Sequence, residues 1–168
     1  MEEWSPDGRT NVLQIAPANK DSQTTPEATF LAIGSKSIFT LDPRVKGNKS
    51  VSQKNYAKDP HMNCLASNKA GNIAIGCKTG EIKLISEVGK NAKTSLPGLG
   101  DPIISIDISS DERYLLATTE TYLLVIQIDH EGKSGFRYPL GKNKKPPIKL
   151  SLDPRDILHY DIKSISFK

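Results

Sequence analysis

The residue types that could do chemistry are few in this sequence and widely spread. Its three histidines, His61, His130 and His159, fall in or beside predicted turns with no Glu or Cys partner at a ligand spacing. A protein zinc site needs three or four such donors brought together, so no metal is assigned. Cys64 and Cys77 stand inside apolar runs and read as small packing residues. Two cysteines make neither a disulfide framework nor a metal knuckle. Gly98 and Gly100 form a Gly-x-Gly without a third glycine, and Pro102 stands where a phosphate-binding helix would have to run. The stretch Pro97-Gly98-Leu99-Gly100-Asp101-Pro102 therefore reads as a rigid connection. Serines and aspartates abound, yet no histidine stands at a matching place to complete a hydrolytic triad. No catalytic residue and no cofactor is expected.

Two surface features could instead meet a partner. Lys142-Asn143-Lys144-Lys145-Pro146-Pro147 is a basic, proline-ended loop. Lys142, Lys144 and Lys145 could draw acidic protein segments, anionic lipid or RNA by charge alone. Without interleaved aromatic side chains they read no nucleic-acid sequence, and a solvated linker has the same composition. The second feature is Asp42-Pro43-Arg44, with Lys46, Asn48 and Lys49 close behind. An Asp42 to Arg44 bond across such a turn stiffens the loop, and the same two side chains can serve a partner. Asn48-Lys49-Ser50 is formally a glycosylation acceptor; without a secretory signal it should stay unmodified.

The elements that carry these residues repeat. Thr29 to Leu41 (TFLAIGSKSIFTL), Asn72 to Ile85 (NIAIGCKTGEIKLI) and Tyr114 to Ile126 (YLLATTETYLLVI) each join two apolar strands through a tight polar turn. Aligning them places Gly34, Gly76 and Thr118 in register, 42 residues apart each time. Another strand-like run precedes each pair: Val12 to Ile15, Asn63 to Ala66, and Ile103 to Ser109, where Ile104, Ile106 and Ile108 alternate. A weaker extended segment follows each pair, around Gln53 to Ala57, Ala92 to Leu96 and Phe136 to Leu140. A further unit is expected to open at Ile148 to Leu152 and to continue through Ile162 to Phe167.

Sustained helical periodicity is almost absent, and Val, Ile, Thr and Tyr gather in the runs, so the class is all-β. Four strands per 40 to 45 residues is the signature of a β-propeller blade. The units expected are 11–57, 62–96, 103–140 and 148–168, with residues 1–10, including Trp4, closing an earlier blade. No Gly-His opens a unit, and Leu41-Asp42, Ile85-Ser86 and Gln127-Ile128 stand where a WD repeat has Trp-Asp. Blade cohesion must then rest on apolar packing. The polar start MEEWSPDGRT is unlike a signal peptide, and no run approaches the apolar length needed to span a bilayer. A cytoplasmic protein with a mild formal charge of +4 is expected.

The stretch Asn91 to Ile126, with Thr29 to Lys49, resembles the propeller domain of the vacuolar import and degradation protein twenty-seven family. Leu41-Asp42-Pro43-Arg44, Gly47-Asn48-Lys49, Asn91-Ala92-Lys93-Thr94 and Leu99-Gly100-Asp101-Pro102-Ile103-Ile104 carry the resemblance most specifically. It implies a degenerate WD-repeat propeller at the C-terminal end of a larger cytoplasmic protein and no defined activity.

Three functions compete on these grounds. A non-catalytic platform for other proteins, in trafficking or degradation, is favoured. A lipid-binding propeller is weakened by the absence of an Arg-Arg pair, and an enzyme at the channel mouth lacks converging acids or histidines. Dividing 168 residues by the period gives about four units, the last incomplete, where closed rings have four to eight. An arc of about three and a half blades would expose two apolar faces and should self-associate.

Overall fold

The computed structural model describes residues 11–20, 29–45, 50–151, 153–155 and 165–167. Trp4, Lys46, Asn48, Lys49, His159 and the first half of the run from Ile162 to Phe167 lie outside them. The described chain is all-β: three four-stranded antiparallel sheets and one two-stranded hairpin.

The first sheet is β1 (Gln14–Pro17), β2 (Phe30–Ile33), β3 (Ser37–Leu41) and β4 (Ser50–Asn55), neighbours in that order. The second is β5 (Met62–Ser67), β6 (Ile73–Cys77), β7 (Ile82–Ile85) and β8 (Thr94–Leu96). Each of these two is a meander of a kind that needs only short turns. After Ser67, the side-chain oxygen of Asn68 accepts from the backbone of Asn72 at 2.7 Å. At the tip of the β6 to β7 turn, Gly80 takes φ +82°, which a side chain would resist. The third sheet has β9 (Ser105–Ile108), β10 (Tyr114–Thr118) and β11 (Tyr122–Gln127) in meander, and the Thr119 hydroxyl accepts from Tyr122 N–H at 3.1 Å to close their turn.

The outer strand of this third sheet is where sequence and structure part. Phe136 to Leu140, expected as that strand, is not a strand. After β11 the chain makes the small hairpin β12 (Asp129–His130) with β13 (Lys133–Ser134), passes a 3-10 turn at Gly141–Asn143, and returns as β14 (Ile148–Ser151). β14 pairs antiparallel with β11, Ile148 opposite Val125 and Leu150 opposite Leu123. Ile148 to Ser151 thus completes the third unit instead of opening a fourth. Phe136 is apolar because it is buried: it sits fully inside the core with Leu84, Leu96 and Ile126.

Pairing register sorts every side chain to one face or the other, since opposite residues share a face. On the first sheet Ala16, Leu31, Ile33 and Ile38 face the second and pack on its Leu65, Ile73, Ile75 and Ile85. The other face of the second sheet packs Cys64, Ala74, Ile82 and Leu84 on Ile106, Ile108, Leu115 and Leu124 of the third. β6 is buried at all five positions because a sheet covers it on each side. Each fully buried Ile or Leu contributes about 1.5–3 kcal/mol relative to exposure. Gly76 lies at this second joint, where a Cβ would come within 2.6 Å of Cys64 Sγ and 2.7 Å of Ile103 Cγ2.

Candidate interaction surface

The inner strands β1, β5 and β9 stand side by side and tie their sheets together with polar bonds as well as apolar contacts. Gln14 Oε1 accepts from Leu65 N–H at 2.7 Å, and Pro17 C=O from the Ser67 hydroxyl at 2.8 Å. One backbone bond recurs at each joint: Met62 N–H donates to Ser35 C=O at 2.8 Å, and Ile103 N–H to Cys77 C=O at 3.2 Å. Ser35 and Cys77 occupy the same place in their units.

A longer connection was invisible in the sequence. Lys20, just beyond β1, donates through its backbone to Asn68 C=O and through its ammonium to Asp107 and to Ile108 C=O, both at 2.6 Å. The first unit thereby reaches across the second to the inner strand of the third. Asp107 is nearly buried and also accepts from Phe167 N–H at 2.8 Å, so both oxygens of this carboxylate are engaged. Nothing in local spacing signals such a pair, because the partners meet only when the sheets stack.

The sequence-selected residues fall into two groups. Asp42 and Arg44 find each other. Arg44 Nε and Nη2 both donate to the Asp42 carboxylate at 2.8 Å, and Arg44 N–H donates to it at 3.0 Å. These bonds hold the carboxyl down to a pKa of about 2. In the basic loop, the Lys144 ammonium donates to Ser95 C=O on β8, so that lysine is engaged in joining the third unit to the second. Thr94 supports the same seam, its hydroxyl donating to Tyr138 C=O at 3.2 Å while accepting from Leu140 N–H at 3.3 Å. Lys142 and Lys145 are exposed beside it.

The remaining reactive types are also accounted for. Burial pushes the Cys64 thiol up to about 12 and the Cys77 thiol to about 11, so neither is a thiolate near neutrality. The Asp59 carboxylate accepts from the Ser35 hydroxyl and from His61 N–H. Bonds from the His61 backbone and from Ser35 lower its pKa. Among the described residues no group of three or more His, Cys, Asp or Glu could hold a metal ion, and no helix is long and apolar enough to cross a membrane.

A stack of four-stranded antiparallel sheets joined through their inner strands, with polar side chains spent on turns and joints, defines part of a WD40-like β-propeller. The family profile described as the VID27 C-terminal WD40-like domain matches residues 1–168, and the chain belongs to that family. It is similar to the "Vacuolar import and degradation protein 27" of Schizosaccharomyces pombe, 37% identical over 165 residues, covering 94% of this chain and 21% of the relative. It is also similar to the protein of that name from Saccharomyces cerevisiae, 36% identical over 180 residues, covering 99% of this chain and 23% of the relative. The chain therefore spans about a fifth of the length of these curated relatives.

Proposed function

We propose that this chain is a non-catalytic protein-interaction module of a cytoplasmic protein, and that its partners belong to vacuolar import or degradation. The observation that carries the reading is where the polar side chains go. Gln14, Ser67, Lys20, Asp107, Thr94 and Lys144 are committed to joining the sheets, which makes a rigid frame for loops. The names of the two relatives supply the process. Rigid scaffolds that present exposed loops suit recognition, and the fold alone does not fix the partner.

The test is affinity capture from a cytoplasmic extract with the full chain and with a Lys142→Ala/Lys145→Ala variant, each retained protein identified by mass spectrometry. A reproducible set of retained proteins that function in vacuolar delivery or degradation supports the reading. Flotation of the chain with phosphatidylserine vesicles but not with phosphatidylcholine, and with no retained protein, would replace it with a lipid-binding one. A retained set unchanged in the variant places the contact away from the basic loop.

A further inference from the structure

The two joints between sheets follow one plan, but their outer grooves are finished differently. On the first sheet Thr40 stands opposite Leu31 and Ser52, and on the second Leu84 stands opposite Ala74 and Thr94. Both rows face the next sheet. At the second joint the chain fills the groove beside that row with its own connection between β11 and β14. Phe136 is fully buried with Leu84 and Leu96, and Leu140 is buried as well. The Thr94 hydroxyl donates to Tyr138 C=O at 3.2 Å and accepts from Leu140 N–H at 3.3 Å. A Cβ on Gly135 would come within 3.1 Å of Leu84 Cδ1, so the main chain itself lies against that side chain. Apolar anchors fill the groove, and one hydroxyl holds the backbone that follows the ring.

The connection that serves the first joint is too short to do the same. Residues 86–93, between β7 and β8, number eight against twenty for 128–147, and include no aromatic side chain. They bring only the half-buried Val88 to the groove and leave a cleft of about 520 Å³. Leu31 and Ile73, both buried, line it with Thr40, Ser52, Glu87 and Val88. The Ser52 hydroxyl donates to Thr40 Oγ1 at 2.9 Å, and a hydroxyl pair of this kind keeps one hydrogen and several lone pairs for a further partner. Sheets of this chain form both walls, so the cleft belongs to an interior joint.

We propose that this groove receives an extended segment of a partner protein, anchored by an aromatic side chain over Leu31 and Ile73 and bonded through its main chain to Thr40 and Ser52. The inference rests on the protein-interaction reading and gives it a place and a ligand chemistry. Its ground is the chain's own use of the second joint, where the matching row holds such a segment through Phe136 and the Thr94 hydroxyl. An apolar floor with a few placed polar groups, in a cleft of this volume, is the make-up of a recognition site.

A random peptide library displayed on phage and panned on the full chain should enrich peptides that share an aromatic residue, with affinities read by fluorescence anisotropy. Val88→Phe gives the first joint a ring like the one the second already holds. It should weaken binding about tenfold or more, the scale of a lost anchor. Thr40→Val/Ser52→Ala keeps the shape, removes the hydroxyls and should weaken binding about fivefold; it carries the test if circular dichroism shows Val88→Phe misfolded. Enriched peptides without an aromatic residue, or equal binding to both variants and the wild-type chain, overturn the proposal, as does enrichment of none. A wild-type dimer in light scattering that Val88→Phe turns into a monomer gives the groove to a second copy and overturns it too. Affinity capture from extract separates this failure from that of the broader reading. Proteins retained equally by the wild-type chain and Val88→Phe leave the protein-interaction reading standing and remove the groove from it, whereas no retained protein with the wild-type chain removes that reading itself.

Discussion

At the scale of single residues the chemistry of this chain is spent on geometry. The two thiols show this directly. Cys64 and Cys77 are buried and held protonated, with pKa values near 12 and 11. An aromatic disulfide reagent at pH 8 should leave both untouched in the folded chain and titrate both after denaturation. Fast labelling of the native protein would mean that the joints open readily. Asp42 behaves in the opposite sense. Its folded pKa of about 2 lies below the ordinary value of 3.8, so the pair with Arg44 is intact above the unfolded value and is lost as pH falls through about 2. A carboxyl-carbon NMR titration should place Asp42 near 2 and return it toward the ordinary value in Arg44→Leu. Both positions were readable as packing residue and turn residue, because each role follows from local surroundings. Which partner Asp42 and Arg44 would choose was not fixed by the sequence, and they choose each other.

At the scale of elements, the 42-residue recurrence of Gly34, Gly76 and Thr118 found the central hairpins, since strand pairs with tight turns leave a short-range pattern. The hairpins β2–β3, β6–β7 and β10–β11 all stand where the repeat predicts them. The outer strand of the third unit was misplaced for a physical reason. Phe136 to Leu140 has apolar residues that serve burial without a ladder, whereas Ile148 to Ser151 forms a ladder while remaining exposed. Apolarity alone does not separate the two. The segment from Tyr138 to Lys144 instead bonds to the outer strand of the second sheet, at Thr94 and Ser95, and covers a strand edge that would otherwise invite pairing. Phe136→Ala should therefore cost about 3–5 kcal/mol in urea unfolding, the range for deleting a buried aromatic side chain. Lys144→Ala, which removes one partly exposed bond, should cost about 1 kcal/mol or less. Equal losses would mean that the segment is held by its polar bonds and not by the ring.

At the scale of the whole molecule, one contact across the stack joins residues 87 positions apart. A repeat read from sequence treats each unit as meeting only its neighbours, and on that view the first and third sheets would be coupled only through the second. Lys20 breaks that pattern by reaching Asp107 and Ile108 C=O directly. The pair is only partly screened, with the Asp107 side chain 13% exposed and that of Lys20 33%. Its strength should therefore exceed the few tenths of a kcal/mol common at open surfaces. A double-mutant cycle with Lys20→Met and Asp107→Asn should give a coupling energy of about 1–2 kcal/mol in urea denaturation. Because the bond spans all three sheets, its loss should also reduce cooperativity. Fluorescence of a label on the first sheet and of one on the third should follow one transition in the wild-type chain. In Lys20→Met the two should separate, the first sheet melting earlier. Coincident transitions in both proteins would show that apolar stacking through the second sheet is enough to hold the arc together.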